Sequence, residues 1–388
     1  MRGARPLRVL VAPDSFKHSL SARRAAEAIA AGVREARPDA ELRLMPLADG
    51  GEGTIRALRP AGALVREALV SGPLGAPRRA LWASLGRTAV IETAEAAGLE
   101  LVSRPSPRTA RLATTRGVGQ LVRAALDAGF REIVVAAGGT ATSDGGAGAL
   151  FELGLQARDG RGAPVTAPEE LGAVRTVRFD GLDPRLADTR FLVASDVSSP
   201  LLGPSGAARL FSPQKGADPA TVELLEARLA AWARILERAT GRALRELPGA
   251  GAAGGLPAGL AAVAEVRVRS GLAWLSEVLD LPGAVRDADL VIVGEGRLDR
   301  QSLRGKAPVA LAGIARRAGI RTVALCGRLE LSREQLHAVG ISAALPIAGD
   351  EEDSARAMAE APERLRCAAA RILAMPAGAR VAGAEPRP

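Results

Sequence analysis

The sequence predicts an α/β chain: a doubly wound, mostly parallel sheet, interrupted by a second α/β region of mixed sheet. Three observations carry this. The chain opens strand-loop-helix-strand-loop, with charged loops at both strand ends. Between about Ala61 and Leu101 the texture changes to short strand-like runs separated by Gly-Pro and Gly-Arg turns, an antiparallel signature typical of an insertion. Near the end, Leu290–Val293 forms a buried apolar run flanked by Asp287, Asp289 and Gly294, the pattern of a central parallel strand.

Taken in order, Leu7–Ala12 reads as the first strand. The turn Pro13-Asp14-Ser15-Phe16-Lys17 follows, then a helix capped by Ser19 or Ser21 that stops at Arg37-Pro38. Glu41–Pro46 is a second strand ending in Asp49-Gly50-Gly51-Glu52-Gly53. Ala63–Val70, Arg79–Leu85 and Thr88–Glu92 form the antiparallel patch. Thr115 is placed to cap a helix to Ala128. Glu132–Ala136 is a strand running into the glycine-rich stretch Gly138–Gly146.

Phe191–Ser195 is a strand ending at Asp196, and Pro219–Ala239 is a helix. Gly249–Gly259, low in complexity, reads as mobile in the absence of a ligand. Leu272–Leu279 is helical. After Leu290–Val293, Gly294 is expected to end the strand, and the following loop presents Glu295, Arg297, Asp299, Arg304 and Lys306 before a helix from Ala307 to Arg317. Thr322–Cys326, a helix boxed by Ser332 and Gln335, Ala343–Ile347 and one helix over Ser354–Ala374 complete the chain. Residues 376–388 read as a disordered tail.

Composition excludes several classes. At 388 residues the chain is long enough for two or three domains, and 47% of it is apolar, so it buries a large core. It lacks an 18-residue apolar run, which argues against a membrane span. Leu7–Ala12 is too short for a signal peptide. Cys326 and Cys367 are the only cysteines and lie far apart, as expected of a reduced cytoplasmic protein. The net charge of +9 comes from arginines interleaved with glutamates along helices. Aromatics are 2% and tyrosine is absent, so stacking platforms for nucleic acid are scarce.

Of 52 basic residues only three are lysines, Lys17, Lys215 and Lys306. Each lies in a Gly/Ser/Pro-rich loop behind an apolar run, where a compact ammonium differs in use from a guanidinium. His18 and His337 give neither zinc spacing nor a triad. The nucleotide signatures fail: Arg300 and Ala307 break the P-loop pattern, and Gly117-x-Gly119 and Gly294-x-Gly296 both lack the third glycine and suitable flanks of the dinucleotide fingerprint.

What remains is a set of strand-end loops. Backbone N–H groups of Gly138–Gly146 can nest an anion, or the glycines can simply serve a tight turn. Asp196 and Asp299 each follow a strand. They can hold Mg²⁺ or take a proton from a hydroxyl, or each can be a turn residue. Asp14, Ser15 and Lys17, with Asp49 and Glu52, supply polar groups of mixed sign suited to a small hydroxylated anion.

Six stretches, Ala12–Ala22, Pro46–Thr54, Ala136–Leu150, Gly203–Asp218, Gly249–Leu260 and Asp287–Pro308, together resemble the bacterial glycerate kinase family of glycolate and glucarate breakdown. All three lysines fall inside them. Val193–Pro200 departs from the family pattern in losing an Asn, Arg300 stands where glycine is common, and Cys326-Gly327-Arg328 replaces a smaller run.

The resemblance implies two α/β domains, one built from both chain ends (1–62 and 287–375) and one inserted (63–286). It implies ATP- and Mg²⁺-dependent phosphorylation of D-glycerate, with 2-phosphoglycerate favoured over 3-phosphoglycerate. Lys17, Ser15 and Arg297, with Asp14, Asp49 and Glu52, would hold glycerate. Asp196 and Asp299 would share the metal-ligand and base roles. Gly138, Gly139, Thr140, Ser143 and Gly145 would cradle the ATP phosphates, and Lys215 and Lys306 would neutralise the moving phosphoryl group. Oligomeric state stays open, a homodimer being one arrangement. The rival readings are a kinase for a related small hydroxy acid and a non-catalytic sugar-acid sensor.

Overall fold

The computed structural model describes residues 5–17, 19–48, 50–349 and 354–374. His18, Asp49 and the tail 376–388 lie outside them. The chain packs as two compact units, Met1–Ala48 with Ser276–Pro388, and Asp49–Leu275. The sequence reading set the changeovers at 62/63 and 286/287.

In chain order the strands are β1 (Arg8–Pro13), β2 (Glu41–Leu44), β3 (Leu64–Ser71), β4 (Pro77–Leu85), β5 (Thr88–Glu92), β6 (Glu132–Ala136), β7 (Gln156–Asp159), β8 (Pro164–Val165), β9 (Val174–Arg178), β10 (Arg190–Ala194), β11 (Glu265–Arg269), β12 (Leu290–Leu298), β13 (Arg321–Leu329) and β14 (Ala343–Pro346). The fold is α/β, with one wholly parallel sheet and one mixed sheet, as the sequence predicts.

The first unit holds the five-stranded sheet β14-β13-β12-β1-β2, parallel throughout. Val9 pairs with Leu290 and Pro13 with Gly294, so the two chain ends meet at the centre of the sheet. Alternate strand residues Val9, Val11, Ile292 and Leu325 pack on one face against Ile29 and Val33 of the helix Ala22–Ala36 and Leu365 and Ile372 of the helix Ala361–Ala374. These helices approach closely because residue 32 is glycine: a Cβ there would stand 1.9 Å from the Arg366 carbonyl oxygen. The helix Ala22–Ala36 begins where Ser21 accepts the Arg24 amide.

Two expectations for this unit are corrected. Gly294 does not end the strand, since β12 continues to Leu298 with Arg297 paired to Arg328. The glycines here permit close approach, and a Cβ on Gly327 would come 2.2 Å from the Gly296 oxygen. The C-terminal helix is two helices, Ser354–Ala359 and Ala361–Ala374. Pro362 has no amide to extend the earlier one.

The second unit holds the six-stranded sheet β11-β10-β6-β5-β4-β3, parallel from β11 to β5 and antiparallel through the β3-β4-β5 meander. A small antiparallel sheet, β8-β7-β9, was not anticipated. Trp82, Trp232 and Trp274 are buried, as the sequence reading placed them.

The stretch 249–259 is not the mobile loop expected. The helix Leu256–Ala261 begins within it, and its glycines lie against backbone. A Cβ on Gly254 would stand 2.0 Å from the Thr142 oxygen, and one on Gly259 2.4 Å from the Gly145 oxygen. Its low complexity is the absence of side chains where two loops touch. None of the described helices is long and apolar enough to cross a membrane.

Candidate active-site loops

In the first unit, Asp14 and Lys17 follow β1 directly. The Asp14 amide donates to the Gly294 oxygen at 2.8 Å, and Asp14 Oδ1 accepts the Ser15 amide at 2.6 Å. This tight turn lies along β12: a Cβ on Gly296 would be 3.4 Å from the Lys17 nitrogen. Lys17 is exposed, as is Arg297, whose Nε lies 3.6 Å from Glu330.

Glu295, also on β12, is 5% exposed. Its Oε2 accepts from Lys306 Nζ at 3.1 Å, while its Oε1 has no partner. Burial raises its pKa; Ser302 and Lys306 act against that rise. Lys306 is the N-cap of the helix Ala307–Arg317, so its ammonium adds to the positive end of an eleven-residue dipole. Asp299 turns Oδ1 onto the amides of Gln301 (2.8 Å) and Ser302 (3.1 Å). Burial pushes its pKa up, but those amides and Lys306 outweigh burial and leave it below the usual range, an anion at neutral pH. Thus Asp14, Ser15, Lys17, Arg297, Asp299 and Lys306 share the carboxyl ends of β1 and β12.

The second unit places another group at the carboxyl ends of β5, β6 and β10. Loop 50–54 crosses there. A Cβ on Gly50 would meet Gly271 Cα at 2.5 Å, and one on Gly138 would meet Gly51 Cα at 2.6 Å. Glu52 is exposed at this loop's tip; Asp49 lies outside the described residues. Asp196 is exposed, and its Oδ1 accepts from Ser270 Oγ at 2.5 Å.

In loop 138–146, Gly138 and Gly139 reach the surface, and Thr140 and Ser143 are buried. Ser143 Oγ lies 3.0 Å from Ser212 Oγ. Gly145 faces inward against Trp232, whose Nε1 donates to the Gly145 oxygen at 3.2 Å. Lys215 is 4% exposed, and its Nζ donates to the Thr142 oxygen at 2.6 Å. Burial lowers its pKa to about 8, with Asp144 opposing.

Two carboxylates that sequence reasoning did not single out organise this region. Asp144, fully buried, accepts from the Thr115 amide (2.8 Å) and hydroxyl (2.9 Å) and from the amides of Gly146 (3.2 Å) and Gly148 (3.1 Å). Burial raises its pKa against these four bonds. The Gly146 and Gly148 amides are therefore already taken by an internal carboxyl group. Thr115, expected to cap its helix, gives its hydroxyl to Asp144 instead. Glu92 is 3% exposed and accepts the amides of Gly53 (2.7 Å) and Ile55 (3.2 Å). The available signal was a carboxylate closing the otherwise apolar run of β5.

The glycerate kinase family model matches residues 9–377, almost the whole of this sequence. The chain belongs to the glycerate kinase family. Among similar proteins, the glycerate kinase of Bacillus subtilis (strain 168) is 40% identical over 365 residues, 92% of this chain and 95% of that one. The glycerate 2-kinase of Escherichia coli (strain K12) is 41% identical over 347 residues, 88% and 90% of the two chains. A crystal structure of a "putative glycerate kinase 2" from Salmonella typhimurium LT2 aligns with a TM-score of 0.79 at 38% identity, covering 95% of this chain and 98% of that one. As a member of the glycerate kinase family the chain is an enzyme, and the strand-end loops above are its candidate active-site elements.

Proposed function

We propose that this glycerate kinase family member transfers the γ-phosphoryl group of ATP to the 2-hydroxyl of D-glycerate, giving 2-phosphoglycerate and ADP. The observation that carries the reading is the convergence of Asp14-Ser15-Lys17 with Arg297, Asp299 and Lys306, residues nearly 300 positions apart, at the ends of two adjacent parallel strands and one helix N-terminus. Ligands bind at such ends in open α/β sheets, and cations there suit a small carboxylate or a phosphoryl group. The likeness to a glycerate 2-kinase supports the choice of hydroxyl.

In this reading Lys17, Ser15 and Arg297 bind the glycerate carboxylate and hydroxyls, with Asp14, Asp49 and Glu52 as further candidates for contact with that substrate. The attacking oxygen forms a bond to the γ-phosphorus as the bond to the β,γ-bridging oxygen breaks, and ADP leaves. The hydroxyl proton passes to a carboxylate, Asp196 or Asp299, and the other of the two would hold Mg²⁺. Both fit a hard cation: they are oxygen donors with a solvent-facing side, and Mg²⁺ bound with nucleotide needs only one or two carboxylates beside phosphate oxygens and water. Magnesium would neutralise charge on the triphosphate.

Gly138, Gly139, Thr140 and Ser143 would face the phosphates. Gly145 and Lys215, buried beneath them, would set the loop's shape. Lys306, seated on Glu295, would stabilise charge on the transferring group.

An ADP-release assay with D-glycerate, ATP and Mg²⁺, followed by NMR identification of the product, tests the reaction and the hydroxyl attacked. Phosphorylation of glycerol or glycolate in preference to glycerate, or 3-phosphoglycerate as product, would overturn the corresponding part. Asp196→Asn and Asp299→Asn should each lower kcat by about 100-fold or more, and near-normal turnover removes that residue from the proposal.

A further inference from the structure

Glu92 ends β5 beside Ala136 of β6. Its two carboxylate oxygens take the Gly53 and Ile55 amides, and between them Thr54 Oγ1 donates to the Gly51 oxygen at 2.7 Å. Loop 50–54 is thus tied at its far end by Glu92, while Gly51 rests on Gly138 and Gly50 on Gly271 and Ala194. The loop carries Glu52 and adjoins Asp49, both placed at the substrate in the proposed function.

We infer that Glu92 is a positioning residue for this enzyme's reaction: as a carboxylate it anchors loop 50–54 over the ends of β6 and β10, and on taking up a proton it releases that anchor, lowering turnover. The chemistry is one of acceptor count. A carboxylate receives two N–H donors, whereas a carboxylic acid must turn its O–H toward one of them. One buried amide then loses its partner.

The surroundings bring this titration into the working range. A cavity of about 150 Å³ beside Glu92 is lined by Glu52 of the loop, Arg56 of the helix Thr54–Ala57, Arg78 and Leu81 of β4, Glu95 of the helix Thr93–Ala97, and Glu100. Glu95 Oε2 accepts the Leu81 amide at 3.1 Å and lies 3.9 Å from Arg78. Burial raises the Glu92 pKa to about 7; the two amides oppose this, and Glu95 and Glu52 add repulsion.

Turnover as a readout rests on the proposed function; anchoring does not, and the two are measured separately. Amide-exchange protection of Gly53 and Ile55 is followed by NMR from pH 5.5 to 8.5 in the wild-type chain, in Glu92→Gln and in Glu95→Gln. Steady-state kcat and KM are measured over the same range. In the wild type, at least one of the two protection factors should fall selectively below about pH 7, and kcat should fall about tenfold per pH unit there. Glu92→Gln should show that lowered protection at every pH. It should also lose the acid limb, with kcat at pH 8 lowered by about 10- to 100-fold. Glu95→Gln should keep the limb and move it to lower pH. An acid limb that persists in Glu92→Gln, or wild-type protection that is flat across pH 7, overturns the inference. The protection arm in the wild type decides it even if glycerate proves not to be the substrate or if the variant fails to fold.

Discussion

The strand-end loops of the two units differ in how much of their charge they bury. At β1 and β12, Lys17 and Arg297 are exposed, and Lys306 is half-exposed at the head of a helix. At β5, β6 and β10, Glu92, Asp144 and Lys215 are buried, and each is bonded to backbone: Glu92 to Gly53 and Ile55, Asp144 to Thr115, Gly146 and Gly148, and Lys215 to Thr142. Charge in the first unit is displayed where a ligand can meet it. In the second, Glu52 and Asp196 are exposed, but these three buried groups are spent on holding glycine-rich loops, which lack side chains to pack and would otherwise be floppy. A charged residue at a strand end is therefore not by itself a ligand contact; exposure and the identity of its partners decide.

That contrast can be broken by substitution. The largest effect is expected for Lys17→Met: kcat/KM for glycerate falls by about 100- to 1,000-fold while Tm changes little, because the side chain is exposed. A large drop in Tm would place Lys17 in the same class as the buried charges. Asp144→Ala should do the reverse first, lowering stability by about 3 kcal/mol in urea unfolding, since four donors lose one acceptor.

Glu92 gives a pH-dependent version. Its folded pKa, about 7, lies above its ordinary value of 4.5, so the folded state binds the extra proton. Stability relative to Glu92→Gln should be greatest below pH 4.5, decline as pH rises through about 7, and then level off, a total change of up to about 3 kcal/mol. Stability and turnover would then move oppositely with pH, and a stability difference that rises with pH would contradict the burial of this carboxyl. Gly327→Ala should have the smallest effect, about 1–3 kcal/mol, from the clash with the Gly296 oxygen. Calorimetry showing no loss would mean β12 and β13 separate there at no cost.

Much of the fold was legible residue by residue. The strand Glu132–Ala136 and the helix Ala307–Arg317 fall where apolar runs and loop punctuation place them. The capping box of Ser332 and Gln335 also forms, because caps are local chemistry. Pro362 carries the sequence signal for the break between the helices Ser354–Ala359 and Ala361–Ala374. Glycine was the main source of error. At Gly294 it was read as a stop and at 249–259 as mobility, yet in both places it marks backbone packed on backbone. Neither Asp144 nor Glu92 stands out in the sequence, because the Thr115 donors to Asp144 lie 29 positions away and both amide donors to Glu92 lie 37 and 39 positions away.

The sequence by itself determined the alternation of strands and helices, the turns between them and the motif set that marks the family, since periodicity, capping and turn preference act over a few residues. Tertiary structure alone decided that Arg8–Pro13 pairs with Leu290–Leu298, which glycines make room for a neighbour, and which carboxylates vanish into the interior. Those outcomes depend on which distant segment arrives beside a residue and what it offers as a donor. The same glutamate or glycine reads identically in either circumstance until its neighbours are in place.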